Sequence, residues 1–248
     1  MKISEKLKNK PTIWVIILAF GVALGGFFIG NGIYKSVARR TVTVKGLAEM
    51  DVVADTAVWN IKFNRVGGDL GAVQSAIDSD IQKTRAFLTE NGFQDSEIQN
   101  LRITVRDKFA GYSDAQRQGE DATDRYVIET GVMVRSNSVN LVDSVSRKMG
   151  DLVRQGVTVT EDYAGPIYVF NGLNDIKIKM IEAATKNATA AGEQFAKDAN
   201  AKLGKIQSAN QGLFTVTARD QTDAWSDNER QSINKRVRVV STITFYLR

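Results

Sequence analysis

The longest uncharged run of the chain lies near its amino terminus and sets the first constraint on the fold. No residue from Pro11 to Tyr34 is charged, and the stretch from Ile13 to Ile29 is almost continuously apolar. As a helix rising 1.5 Å per residue, this run measures roughly 36 Å, more than the ~30 Å hydrocarbon core of a bilayer. Trp14 and Tyr34 stand near its two ends, where amphipathic aromatic residues favour the interface. The run therefore predicts a transmembrane helix whose partner is the lipid bilayer, through residues 11–34.

A cleaved signal peptide is the alternative interpretation of this segment. The apolar region of such a peptide usually has about 7 to 15 residues and ends in a small-x-small cleavage site. Here the apolar run is longer, and the one such site, Ser36-Val37-Ala38, lies beyond Lys35. The length favours an uncleaved anchor. Because Lys and Arg flank both ends, the positive-inside rule gives only a weak orientation, with the short lysine-rich end cytoplasmic.

This orientation predicts two parts and a location. Residues 1–40 form a cytoplasmic stub and a transmembrane anchor, and residues 41–248 form a domain outside the cytoplasm. The expected location is the bacterial inner membrane, crossed once, with the carboxyl-terminal domain in the periplasm.

Charge and composition exclude several classes of function. The net charge is +5, but seven basic residues and one acidic residue give the first forty residues +6, so the remainder is −1. A domain that binds phosphate backbones carries its own basic surplus, so no nucleic-acid partner is expected. The chain has no cysteine and no histidine. Thiolate chemistry, zinc–thiolate sites and histidine-dependent catalytic triads are therefore excluded.

Alternation of apolar and polar residues predicts the strands of the domain. Such a period of two is typical of strands that bury one face. A first strand is predicted over Thr41 to Lys45, after the anchor. The predicted inward-facing sets of the later strands are Trp59, Ile61 and Phe63; Leu101, Ile103 and Val105; Ile128, Thr130, Val132 and Val134; and Val237, Val239, Ile243, Phe245 and Leu247.

Three stretches have helical spacing instead. The first is opened by Asp69 as N-cap and closed by Gly92, the second lies between Ser138 and Gly156, and the third ends at Gly204. Their apolar stripes are Leu70, Val73, Ile77, Ile81 and Leu88; Leu141, Val145, Met149 and Leu152; and Ile181, Ala184, Ala188, Ala191, Phe195, Ala199 and Leu203. The expected class is α+β: a mixed, mostly antiparallel sheet or sheets packed by three helices, preceded by one transmembrane helix.

Two polar loops, 107–124 and 220–235, exceed ordinary hairpin lengths, which favours a binding or assembly role or plain disorder. They contain three aromatic residues among polar neighbours, Phe109, Tyr112 and Trp225. Aromatic residues are enriched at protein interfaces. We therefore expect these three residues to be assembly contacts of a homo-oligomer.

Candidate chemistry is weak throughout the chain. The segment Arg65-Val66-Gly67-Gly68-Asp69 precedes a helix but lacks the glycine spacing of a phosphate loop, so a turn with a helix cap is favoured. The acidic residues Asp220, Asp223, Asp227 and Glu229 lack the spacing of a calcium loop, and a solvated acidic loop is favoured. Glu120, Asp121 and Asp124 are interpreted in the same way. We therefore predict no catalytic, cofactor-binding or metal-binding residues, and no cofactor.

Several short motifs together resemble the SIMPL-domain family. They are Val44-x-Gly46-x-Ala48 followed by Ala54-Asp55-x-Ala57, then Gly92-Phe-Gln-Asp95-x-x-Ile98-Gln-x-Leu101, then Tyr126 with the strand after it, and the alanine-rich helix leading into Ala201-Lys-Leu203-Gly204-Lys205-Ile206. Ala54 departs from the usual proline of the family. The resemblance implies a bacterial envelope protein of unassigned molecular activity, associated in some members with tolerance of oxidative stress. It supplies no catalytic residues.

Two functional hypotheses remain from the sequence. The preferred one is a non-enzymatic, membrane-tethered envelope protein that works through self-assembly or partner contacts. The alternative is a small-molecule-binding or enzymatic domain whose loops 107–124 and 220–235 surround the site.

Overall fold

The computed structural model describes residues 10–37, 40–111, 122–160, 165–220 and 228–248. Within these ranges the helices are α1 (Lys10–Val37), α2 (Leu70–Glu90), α3 (Val139–Ser146), α4 (Gly150–Arg154), α5 (Leu173–Asp198) and α6 (Asn228–Gln231). The strands are β1 (Thr41–Val53), β2 (Thr56–Gly67), β3 (Ile98–Asn100), β4 (Thr104–Asp107), β5 (Tyr126–Ser136), β6 (Ile167–Val169), β7 (Leu203–Gln211), β8 (Thr215–Ala218) and β9 (Asn234–Leu247).

The strands form two antiparallel sheets, which confirms the α+β class. One sheet has five strands in the order β3-β5-β2-β6, with β4 also paired to β5. The other has four strands in the order β1-β9-β7, with β8 also paired to β9. Helices α2 to α6 accompany them, two more than predicted, because the predicted second helix divides into α3 and α4 and because the short α6 was not predicted.

Helix α1 covers the uncharged run near the amino terminus. It has 28 residues, and apolar side chains such as Val15, Leu18 and Phe28 are mostly exposed. Among the described residues, no helix has both the length and the apolar character that crossing a membrane requires. The transmembrane role of residues 11–34 stays a prediction.

The chain divides into two compact units. One comprises Met1–Leu47, Ala183–Gly212 and Val240–Arg248, and the other comprises Ala48–Glu182 and Leu213–Val239. The second unit is the larger and contains the whole five-stranded sheet. The predicted boundary near residue 40, between anchor and domain, stays a prediction.

The core of the larger unit lies between α2 and the five-stranded sheet. The pairing of β2 with β5 sets Trp59 opposite Val134 and Ile61 opposite Val132, and all four side chains are buried. Ile77 and Leu88 of α2 are completely buried in the same cluster. The predicted inward faces of these two strands are confirmed, and so is the stripe of the first helix from Val73 to Leu88, whereas Leu70 at its start is 42% exposed. Asp69 caps α2 as predicted, since its Oδ1 accepts from the Ala72 N–H at 2.7 Å.

A buried ion pair fixes α2 to β2. Asp80 is 1% exposed and accepts two hydrogen bonds from Arg65, at 2.6 and 2.9 Å. Arg65 also donates to the Gly156 carbonyl, beyond the end of α4. A bidentate guanidinium–carboxylate pair fixes orientation as well as distance. The pair therefore holds α2 in one position over the sheet.

The prediction for residues 101–105 was wrong. Ile103 and Val105 are 42% and 51% exposed, and do not face the core. The chain leaves the sheet after β3 and returns to it in β4, so Leu101, Arg102 and Ile103 have no regular strand conformation. Both strands pair with β5, and with no other strand in the described part of the chain. Residues 101–105 therefore do not form one buried strand, because the backbone between β3 and β4 is irregular.

Two further boundaries differ from the sequence prediction. Strand β1 continues to Val53 rather than ending at Lys45. Helix α5 ends at Asp198, so Leu203 begins β7 instead of completing the helix, and Phe195 is 60% exposed. Asn200 has a positive φ of 49°, a left-handed conformation that stops a helix.

The smaller unit is held together by close contact between β1 and α5. Val44, Ala188, Ile243 and Phe245 form its buried cluster. A Cβ placed on Gly46 would lie 1.9 Å from the Ala184 carbonyl oxygen and 2.5 Å from the Ala188 nitrogen. The Val44-x-Gly46-x-Ala48 motif therefore requires glycine at position 46, because α5 packs directly on the strand backbone.

We expect Gly46→Ala to lower the free energy of unfolding by about 1–3 kcal/mol, since overpacking against backbone forces the helix and strand apart. Thermal denaturation followed by circular dichroism measures this loss. Gly150→Ala is the matched control, because a Cβ there meets only the flexible end of Arg154 at 3.7 Å. Equal stability of wild type and Gly46→Ala would contradict the close contact.

Candidate functional site

Asp55, the acidic residue of the Ala54-Asp55-x-Ala57 motif, holds the connection between β6 and α5. Its carboxylate accepts from the backbone N–H groups of Asn171 and Gly172, at 2.7 and 3.0 Å. It also accepts from the Asn171 amide and the Thr56 hydroxyl, at 2.8 and 2.9 Å. With four donors around one carboxylate, Asp55 is occupied structurally and is not available for catalysis.

The Asp55 N–H donates to the carbonyl of Val169 at 3.0 Å, and Val169 lines a groove that we name the Lys235 groove. It has a volume of about 370 Å³. Strand β6 and the residue after it form one wall, β8 and β9 contribute one residue each, and α6 stands at the rim. The lining residues are Ile167, Tyr168, Val169, Phe170, Val216, Glu229, Arg230 and Lys235.

Lys235 is the distinctive residue of this groove. It is 4% exposed, and its ammonium donates to the Glu229 backbone carbonyl. The pairing of β8 with β9 sets it opposite Ala218, on the same inward face as Val237. Burial lowers the pKa of the Lys235 ammonium, and the negative charge of Glu229 partly opposes that shift. A lysine almost wholly buried beside apolar side chains is uncommon and marks a candidate site.

Tyr168 is one of the lining residues of the groove, but its hydroxyl is committed to a partner elsewhere. The side chain is 4% exposed, and its O–H donates to Asp143 Oδ1 at 3.2 Å. Burial, together with the negative charge of Asp143, raises the pKa of the Tyr168 phenol well above its ordinary value. The phenol is thus fixed as a neutral donor to Asp143, and the side chain packs in the hydrophobic core of the larger unit.

A second groove, the β5 groove, opens where the chain leaves the sheet between β3 and β4. Its volume is about 530 Å³, and its lining includes Arg102, Thr104, Glu129 and Thr130. The Leu101 N–H donates to the Gly131 carbonyl at 2.8 Å, and the Thr130 hydroxyl donates to the Leu101 carbonyl at 3.1 Å. Arg102 and Glu129 are exposed at its surface. These two charged groups are therefore solvated, unlike Lys235.

The structure describes one of the three predicted assembly contacts. Phe109 is 8% exposed and is thus buried within the chain. Tyr112 and Trp225 lie outside the described residues. The base of the first loop is closed by an ion pair between Arg125 and Asp107, at 2.8 Å. The role of the three aromatic residues in assembly stays a prediction.

The acidic residues of the second loop are only partly described. Asp220 pairs with Arg219 at 2.8 Å, and Glu229 stands at the rim of the Lys235 groove. Asp223 and Asp227 lie outside the described residues, as do Glu120 and Asp121 of the first loop. Over the ranges that the structure describes, no three acidic side chains are grouped so as to hold a metal ion.

One feature of the sequence predicts that Lys235 is buried, although no motif includes this residue. The inward-facing residues of β9 follow a period of two, and continuing that period backwards from Val239 and Val237 reaches Lys235. A charged residue in the buried register of a strand is costly unless it has a partner or a purpose. The wall formed by β6 had no comparable signal, because its three residues come from a remote part of the chain.

The fold and the groove define a two-sheet α+β domain with a candidate ligand site and no recognisable catalytic constellation in its described part. A family model, SIMPL, described as a protein of unknown function (DUF541), matches residues 42–245. The chain therefore belongs to the SIMPL family. No curated protein matches the chain significantly.

The surroundings of Asp55 predict a specific dependence of stability on pH. Burial by itself raises the pKa of Asp55, but hydrogen bonds from Asn171, Thr56 and Gly172 outweigh it and lower the pKa below its ordinary 3.8. A carboxyl group with a depressed pKa stabilises the fold above its unfolded-state pKa, and that contribution is lost as the pH falls through the folded-state value.

We expect Asp55→Asn to lower the melting temperature at neutral pH by at least about 4 °C, since charge-assisted hydrogen bonds are lost. The difference from wild type should shrink as the pH falls below the ordinary value. Melting curves over a pH series measure this, with the exposed Asp78→Asn on α2 as control. A constant difference across the series would contradict the role assigned to the ionised carboxylate.

Proposed function

We propose that this protein is a membrane-anchored bacterial envelope protein whose domain outside the cytoplasm works through contacts with copies of itself or with partner proteins. Membership of the SIMPL family supports an envelope domain without naming its activity. The observation that carries the proposal is the open edge of the four-stranded sheet at β7.

Three features of the amino-terminal segment support the anchor. The sequence from Pro11 to Tyr34 has no charged residue. The same residues lie within one helix, α1, which at 1.5 Å per residue measures about 42 Å. Its described side chains present large apolar groups outward, with Leu18 72% and Val22 68% exposed. Such a surface is stable in lipid and unstable in water.

Strand β7 has the properties of a strand that accepts another strand. Within the described part of the chain it pairs with β9 on one side only. From Lys205 to Gln211 every residue is exposed, and Ile206 is 50% exposed. The register is irregular up to Ser208 and regular from Ser208 to Gln211, opposite Ser241 to Thr244. An exposed edge presents unpaired N–H and C=O groups, which a further strand satisfies.

Tethering and charge both favour association at this edge. Two copies anchored in one bilayer have a higher effective concentration than free copies, so weak contacts become significant. The residues after position 40 carry a net charge of −1, so little electrostatic repulsion opposes contact between copies. Participation of the loops 107–124 and 220–235 in the same assembly is part of the proposal.

The association of some family members with oxidative-stress tolerance leads us to include such a role. A strain that lacks the protein should then be more sensitive to peroxide than its parent, and the intact gene should restore tolerance. Restoration by a β7 variant that no longer assembles would separate the stress role from assembly.

A second candidate function is the binding of a small molecule outside the cytoplasm. One observation favours it: the buried Lys235 lines a groove together with Glu229 and Arg230, at the end of the 220–235 loop. A concave, mainly apolar site with few polar groups is the usual form of a ligand pocket.

For the anchor, we expect the intact protein to fractionate with membranes and protease added to spheroplasts to digest the domain. Replacing Val22 and Leu24 by Lys should impair insertion, because each central charge costs about 2.5–3.5 kcal/mol on insertion scales. Recovery of the wild type as a soluble periplasmic species that begins near residue 39 would show cleavage instead.

For assembly, we expect light scattering of the full-length protein in lipid nanodiscs or mild detergent to give a multiple of the chain mass. Ser208→Lys with Asn210→Lys should reduce that mass, because lysines on an edge strand oppose strand pairing. The melting temperature should be unchanged, since both side chains are exposed.

The matched control places two lysines on an exposed helical surface, Ser75→Lys with Ser79→Lys on α2. This variant should retain the wild-type mass. A monomeric wild type over a wide concentration range, or equal loss of mass in both variants, would contradict assembly through β7.

A further inference from the structure

We propose that the Lys235 groove binds an amphipathic carboxylate, a molecule with one carboxylate head and a single apolar chain, such as a medium-chain fatty acid. The head would bind the Lys235 ammonium, and the chain would lie along the wall formed by β6. This inference rests on the second candidate function, ligand binding, and is independent of assembly.

The walls of the groove determine the apolar part of the ligand. Ile167, Val169 and Phe170 present aliphatic and aromatic surface, and Val216 of β8 continues it. Val169 is 37% exposed, so this apolar surface is accessible from solvent. Each methylene group of a ligand that is buried here is removed from water, which favours a hydrocarbon chain over a polar molecule.

Lys235 determines the polar head. An ammonium group has three N–H donors, and the hydrogen bond that the structure gives this one goes to a single backbone carbonyl, that of Glu229. A carbonyl dipole does not neutralise a charge buried to 96%. A carboxylate brings both an acceptor and the opposite charge into a region of low dielectric, where such a pair is strongest.

The other polar groups of the groove are less suited than Lys235 to bind the carboxylate head. The Tyr168 hydroxyl is committed to Asp143. The negative charge of Glu229 acts on Lys235, but Glu229 is exposed at the rim, where solvent screens its charge, and the exposed Arg230 beside it carries the opposite charge. A single buried ammonium matches the single charge of a carboxylate, whereas a phosphate group is usually held by several donors.

Three probes with the same eight-carbon chain separate the head group from the chain. They are octanoate, octanol and octylammonium, titrated by calorimetry against the full-length protein in lipid nanodiscs, with empty nanodiscs subtracted. We expect octanoate to bind the wild type at least about tenfold more tightly than octanol, from one charge-assisted hydrogen bond. Octylammonium should bind more weakly than either.

Lys235→Met keeps the length of the side chain and removes its charge, so octanoate should lose its advantage while octanol binding persists. Lys186→Met, on an exposed position of α5, is the control and should bind all three probes as the wild type does. Equal affinity of the wild type for octanoate and octanol, or an advantage retained in Lys235→Met, would overturn the assignment of the carboxylate to Lys235.

The outcomes also distinguish the binding of a carboxylate from ligand binding by the groove in general. Preference for octanol or octylammonium would overturn the carboxylate class and leave a ligand groove in place. If none of the three probes bound, the inference would be overturned. The groove would then no longer support small-molecule binding as the second candidate function.

A measurement on the wild type alone keeps the inference testable if Lys235→Met does not fold. Reductive methylation labels lysine amines, and mass spectrometry of peptides reports the rate at each position. Octanoate should slow labelling of Lys235 at least about threefold relative to octanol, at equal occupancy of the nanodisc, and should leave labelling of Lys186 unchanged. Equal labelling rates of Lys235 with both probes would overturn the inference.

Discussion

The pairing of β2 with β5 is the constraint on which the larger unit depends. Eleven residue pairs, from Ala57 with Ser136 to Gly67 with Tyr126, are in continuous antiparallel register. Because side chains alternate along a strand, a slip of one residue would turn Trp59 and Ile61 away from α2 and bury Lys62 in their place. The same strand pairs with β6 at its other edge, where Ala57 lies opposite Tyr168. The ladder therefore positions the core and the wall of the Lys235 groove together.

Sequence reasoning succeeded where the determinants are local or periodic. The N-cap at Asp69 follows from the chemistry of one side chain and the start of one helix, and it is confirmed. The inward faces of β2, β5 and β9 follow from a period of two sustained over long strands. The sequence motifs identified Gly46 and Asp55, but not why these residues are needed. The close approach of α5 to Gly46 and the donors around Asp55 are tertiary contacts, which only the structure reveals.

The prediction failed where the backbone outweighed the pattern. Alternation over Leu101, Ile103 and Val105 was too short to distinguish a buried strand from two short segments joined by an irregular stretch. The apolar stripe of the third helix was extended through Leu203, although a left-handed residue at Asn200 ends the helical conformation. The Lys235 groove was missed because its walls come from strands far apart in sequence, which no local spacing reveals.

Contact between copies at β7 can be measured directly, because the chain has no cysteine. A single thiol introduced as Ser208→Cys, in the full-length protein in native membranes, forms a disulfide only where two copies bring it close. If copies pair at β7, Ser208→Cys gives a disulfide-linked dimer under mild oxidation, and Asp78→Cys on the exposed surface of α2 gives none. Absence of dimers from Ser208→Cys, or equal yields from both variants, would contradict pairing at β7.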